Sequence, residues 1–208
     1  MTVVTKLERL REVAMDQHGF VTTAQAIDEG VSHAELSAMV ARKRITRVAH
    51  GVYRIPQVPE TEHDQYQLAV LWTGVPEACL SHDTALDAWG ISDINPERIH
   101  VSVGRHRRLR RQGGAQYTIH YVDLSPQEMT WWQGIRIVTL PTAIQQSIAS
   151  GVPTYLIRQA LDRAGSTGAL MAVVRDKLSR ELEGRDQQTW PYEPARRSEY
   201  PRSKDQSA

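Results

Sequence analysis

Residues 19–55 read GFVTTAQAIDEGVSHAELSAMVARKRITRVAHGVYRI, and this stretch decides the fold. Thr22 stands three residues before Gln25, and Ser32 three before Glu35. Each pair is a capping-box arrangement, in which the hydroxyl and the longer side chain satisfy the exposed amides at a helix start. The spacing predicts a short helix over 23–29, closed by Gly30, and another opened by Ser32 and running to about Lys43. Leu36, Met39 and Val40 share one face of that second helix. RITRVAHGVYRI follows, with Ile45, Arg47, Ala49, Val52 and Ile55 flanking a His50-Gly51 turn, which reads as a β-hairpin.

Upstream, Leu7, Leu10 and Ala14 recur at helical spacing and predict a first helix over 5–17, with Phe20 and Val21 as a short extended segment. Helix, short strand, helix, tight turn, helix and hairpin is the order of a winged helix-turn-helix. In such a fold the third helix enters the major groove and the wing reaches an adjacent groove. His33 and Ser37, on one flank of that helix, are the expected base or water-mediated contacts. Arg42, Lys43, Arg44 and Arg47 are expected on phosphates, and His50 and Arg54 in the wing. Thr22, Thr23 and Ser32 complete the expected DNA-binding set, although spacing alone already explains Ser32 and Glu35 as caps. Ala34, Ala38 and Ala41 leave a face small enough for a groove wall or another helix.

Net charge is only +1, so the argument rests on distribution. Residues 57–104 hold eight acids (Glu60, Glu62, Asp64, Glu77, Asp83, Asp87, Asp93 and Glu97) against the single base Arg98. The run RHRRLRR at 105–111 then supplies Arg105, Arg107, Arg108, Arg110 and Arg111 with no acid. That run is compatible with a loop between strands, an extra DNA contact or a docking surface for an acidic partner, and the three readings stay open.

Pro56 and Pro59 bracket a connector. Beyond it, patterning predicts helices near 62–73, 81–89, 140–149, 154–164 and 167–182, and strands at 98–103, 116–122 and 135–138. The chain therefore divides into 1–56, a mixed α/β region at 57–183 and a tail at 184–208 too poor in aliphatic residues to fold alone. The fold class is α+β. No apolar stretch reaches membrane-span length and the start has no signal-peptide pattern, so a cytoplasmic protein is expected.

Catalytic patterns fail on inspection. A nucleotidyltransferase wants a Gly-Ser turn and two carboxylates one residue apart for its metal ions. Gly165-Ser166 is followed by Asp176, but position 178 is Leu178. Ser81-His82-Asp83 is contiguous, whereas a triad is assembled in space, so it reads as a helix start. Cys79, the single cysteine, reads as a small core residue. The eight histidines are scattered without a His-x-x-x-His pair, so neither a metal site nor a cofactor is expected. Trp131-Trp132 reads as packing, with docking of a protein partner as the alternative.

The stretch quoted above, with ACLSHDTALDAWGI at 78–91 and GIRIVTLPTAIQQSIA at 134–149, resembles the AbiEi-type antitoxins of abortive-infection systems. The resemblance implies a winged helix that binds its own operator, joined to an antitoxin region that counteracts a nucleotidyltransferase toxin of the AbiEii type. It also implies inverted-repeat operators bound cooperatively by a monomer or weak dimer. The competing expectation is a nuclease or other enzyme targeted by a winged helix.

Overall fold

A computed structural model describes residues 4–111 and 113–189. The amino-terminal part runs α1 (Lys6–Met15), β1 (Phe20–Thr22), α2 (Thr23–Asp28), α3 (His33–Ala41), β2 (Thr46–Ala49) and β3 (Val52–Arg54). The strands form an antiparallel sheet in the order β1-β3-β2. The helix starts are where the sequence put them, because their signals are local: Thr22 and Gln25 exchange hydrogen bonds, as do Ser32 and Glu35. Leu10, Ala14, Val21, Ala26, Val31, Leu36, Ile45, Ile55 and Val58 close one core. Leu36 is 1% exposed, so its burial alone stabilises by roughly 2–3 kcal/mol.

The remainder runs α4 (Asp64–Thr73), β4 (Cys79–Leu80), α5 (His82–Ala88), β5 (Ile99–Val103), β6 (Tyr117–Tyr121), β7 (Met129–Trp132), β8 (Ile135–Val138), α6 (Leu140–Ala149), α7 (Thr154–Ser166) and α8 (Ala172–Thr189). Its five-stranded sheet has the order β6-β5-β4-β8-β7. β5 and β6 are parallel, as are β4 and β8, while β4 with β5 and β7 with β8 are antiparallel. Trp72 of α4 packs on Tyr117 of β6 at 5.0 Å, whereas His82 of α5 stacks on His120. Tyr117 and His120 differ by an odd number of positions, so α4 and α5 cover opposite faces of the sheet. α6 packs against α5, α7 and α8.

Two strands were not expected, β4 and β7. β4 is only two residues long and wholly buried, and β7 is recognisable chiefly by its pairing with β8. The last helix starts at Ala172 rather than 167 and continues to Thr189, into the stretch expected to be a tail. Arg185 explains the extension: its guanidinium donates to the carbonyls of Ile148 and Val152 and to Thr154 Oγ1, fastening α8 to the α6–α7 corner. The rest of the expected tail lies outside the described residues. The two parts meet where His18 contacts Thr61 Oγ1 at 3.0 Å and, through Nε2, the carbonyl of Gln133 at 2.7 Å.

Candidate nucleic-acid interface

α3 is held from beneath by Leu36, Met39 and Val40, leaving His33, Ala34, Ser37 and Ala41 exposed. Glu35 ties the start of α3 to α1: Lys6 Nζ lies 2.7 and 2.8 Å from its carboxylate oxygens. That hydrogen bond, with those from Ser32, holds the Glu35 carboxyl down to about 2. Arg42, Lys43 and Arg44 follow as an exposed basic corner. Lys43 sits at φ 55°, in the left-handed position that usually closes a helix on glycine, and the amides of Lys43 and Arg44 bond back to Val40 and Met39. Arg47 leans on the wing turn, 3.4 Å from both the Ala49 carbonyl and His50 Nδ1.

His33, Ser37, Thr22, Thr23, Arg47 and His50 line one side of a groove of about 1050 Å³. Arg111, Trp131 and Arg136 are among the residues on its other side, which belongs to the second sheet region. Trp131 is 62% exposed, and the Arg136 guanidinium lies 5.0 Å from its ring centroid. Sequence reading missed Arg136, an isolated arginine whose only signal is alternation along β8. Trp132 instead packs on His63 and Tyr66.

Several expected contacts have other roles. Arg54 is 8% exposed: its guanidinium bonds the carbonyls of His18 and Val58 and the carboxylate of Asp64. It is therefore a buried clamp and not a wing contact, because its position in β3 turns it toward the core. The Thr22 and Ser32 hydroxyls are taken up in their helix caps.

The arginine run divides in the same way. Arg111 Nη1 donates to the His50 carbonyl at 2.8 Å, bridging the run to the wing. Arg107 grips Glu77 in a two-pronged ion pair at 2.6 and 2.9 Å, which pulls the Glu77 carboxyl below its ordinary range. Arg105, Arg108 and Arg110 are exposed and their guanidinium groups make no ion pair among the described residues, although the Arg105 amide donates to Asp123 Oδ1 at 2.9 Å. A second hollow of about 1010 Å³, bordered by Arg47, His50 and residues 106–111, thus continues the basic surface from wing to loop.

The catalytic alternatives gain nothing here. Cys79 is fully buried, and burial pushes its thiol up to about 12, far from reactive thiolate chemistry. Asp176 and Leu178 lie on α8, in helical rather than strand context.

Residues 8–56 match the family model described as "Transcriptional regulator, AbiEi antitoxin". No curated protein matches the chain. Among solved structures, the crystal structure of the RV2827C protein from Mycobacterium tuberculosis superposes with a TM-score of 0.46 at 15% identity, over 86% of this chain and 82% of that one. The similarity to the AbiEi antitoxin regulators thus covers residues 8–56, the stretch that carries α3 and the wing.

Proposed function

We propose that this chain is an antitoxin and the autorepressor of its own toxin–antitoxin operon. In this reading the winged helix of residues 1–56 binds the operator, and residues 57–183 counteract a nucleotidyltransferase toxin without catalysis of their own. The observation that carries it is the match of residues 8–56, on which α3 leaves His33 and Ser37 exposed between a basic corner and the wing. His33 and Ser37 reach base edges, and Arg42, Lys43, Arg44 and Arg47 hold phosphates. The operator consists of inverted repeats, occupied cooperatively by a chain that is monomeric or weakly dimeric in free solution. Among the described residues no helix is long and apolar enough to cross a membrane, in keeping with work on DNA in the cytoplasm.

The test has two arms. Footprinting on the chain's own upstream region should show protection of inverted repeats, with affinity falling steeply with salt. Co-expression with the adjacent toxin gene should restore growth. The double substitution Arg44→Ala with Arg47→Ala should abolish repression yet still restore growth. Protection of no upstream sequence by the intact chain, or growth arrest persisting despite its expression, would sink the corresponding half of the reading.

A further inference from the structure

His82, His100 and His120 are separated in sequence, but the fold collects them. His100 lies on β5 and His120 on β6; the register pairs His100 with Thr118 and Ser102 with His120, so both imidazoles share a sheet face. His82, at the start of α5, stacks on His120 with ring centroids 3.5 Å apart. One ring nitrogen from each histidine lies within 4.8 Å of the other two, and His120 Nε2 is 3.2 Å from His100 Nδ1. That last spacing is close to the roughly 3.3 Å between two nitrogens bound to one tetrahedral zinc at about 2.0–2.1 Å.

We propose that His82, His100 and His120 form a binding site for a divalent transition-metal ion of the zinc class, with Asp83 positioned as a neighbouring carboxylate.

Two further observations point the same way. Among the described residues Asp83 Oδ1 and Ser102 Oγ are buried without a hydrogen-bond partner, Ser102 being 1% exposed and on the histidine face of the sheet. Asp83 Oδ1 stands 4.0 Å from His100 Nδ1, too far for a hydrogen bond and close enough to join an ion seated among the rings. Polar groups thus converge on one spot in greater number than they can satisfy among themselves.

The surroundings also suit a metal. His82 Nδ1 contacts the buried Ser81 Oγ at 3.0 Å, leaving Nε2 as the donor, and such an outer contact is the usual means of fixing a ligating imidazole. Burial first, then mutual repulsion, holds His82 down to about 3 and His120 to about 4, while burial lowers His100 as well. A neutral imidazole carries one nitrogen lone pair, and the hydrogen bond between His120 Nε2 and His100 Nδ1, which engages one of them, would give way to the ion. Three imidazoles and a carboxylate are a donor set for zinc and its neighbours rather than for calcium or magnesium. Among the described residues β6 is an edge strand paired only with β5, so the ion would cross-link that edge to α5.

The test uses the full chain without an affinity tag, stripped with a chelator and titrated with Zn²⁺ or Co²⁺. A single tight ion per chain is expected, with Co²⁺ giving the intense visible bands of a four-coordinate site that Zn²⁺ then erases. His100→Ala or His120→Ala should weaken Zn²⁺ by roughly a hundredfold or more, since loss of an outer-shell partner alone costs 10–100-fold. His106→Ala should leave Zn²⁺ affinity unchanged. Should the ligand variants fail to fold, ring signals of the unmodified chain decide by magnetic resonance: Zn²⁺ must shift those of His82, His100 and His120. Shifts confined to other histidines, Co²⁺ bands of a six-coordinate ion, or no binding tighter than the triple alanine variant would each overturn the site.

Discussion

Arg54 Nη1 lies 2.6 Å from Asp64 Oδ2, joining the last residue of the wing strand to the first residue of α4. Their side chains are 10% and 19% exposed, so this bond sits in a seam and not on the surface. The guanidinium also occupies the space above Gly19, where an added Cβ would lie 2.8 Å from it, on a backbone at φ 83°. One arginine therefore fixes three pieces of chain: the α1–β1 turn, the connector carbonyl of Val58, and α4.

Removing one partner of a buried ion pair strands the other charge, typically costing about 3–5 kcal/mol. Arg54→Ala and Asp64→Ala are expected to destabilise by about that much in denaturant melts, and Gly19→Ala through the same seam. Operator affinity of the protein that remains folded should be unaltered, because Arg54 does not face the groove. An Arg54→Ala chain with unchanged stability and weakened DNA binding would return Arg54 to the interface.

How much of this was legible in the residues depends on how far each signal reaches. The caps of α2 and α3 rest on pairs three residues apart, and the wing on a turn between alternating segments, so all were readable. Arg54 was misread because a basic residue in a wing ordinarily faces DNA; what buries it is Asp64, an acid across a proline-bracketed connector. β4 needs β5 and β8 on either side to exist, and its two residues carry no pattern of their own. The histidine cluster escaped for the same reason, since its members come from a helix and two strands whose pairing no local spacing encodes.

DNA contacts should separate into two classes. Replacing Arg44 and Arg47 together should reduce affinity for operator and unrelated DNA alike and lower the salt slope by about two. His33→Ala and Ser37→Ala should instead narrow the gap between operator and unrelated DNA, each by roughly 1–3 kcal/mol if it reads a base directly. Binding measured across a salt series on both DNAs distinguishes these outcomes. Equal effects of all four substitutions on both DNAs would place α3 outside the major groove.

Glu35 gives a pH dependence with a definite sign. Its folded carboxyl, held to about 2 chiefly by Lys6, lies below its ordinary value of 4.5. Between those values the unfolded chain binds the extra proton, so the contribution of Glu35 is complete above pH 4.5 and lost as pH falls toward 2. Lys6→Gln should move the Glu35 titration upward, followed by carboxyl chemical shift. Glu35→Gln should flatten the acid limb of thermal stability in the same window. An unmoved titration in the Lys6 variant would assign the depression to Ser32 instead.

The bond between Arg111 and the wing gives the last prediction. Arg111 reaches the His50 carbonyl by lying across Gly74, where a Cβ would stand 1.8 Å from Nη2. A methyl there cannot coexist with the arginine, and Gly74 is at φ 65°, so Gly74→Ala should expel Arg111 and release the wing. Two explanations of a weakened operator complex then compete: loss of a positive charge near DNA, and loss of the bond that orients the wing. Arg111→Lys separates them, because lysine keeps the charge but lacks the planar fork that spans Gly74 and meets the carbonyl. If orientation dominates, Arg111→Lys, Arg111→Ala and Gly74→Ala should lose similar affinity, on the order of tenfold or about 1.4 kcal/mol. They should also expose the His50-Gly51 turn to faster amide exchange. If Arg111→Lys binds DNA as the parent does while Arg111→Ala does not, the arginine acts by charge alone and the wing is held by its own hairpin.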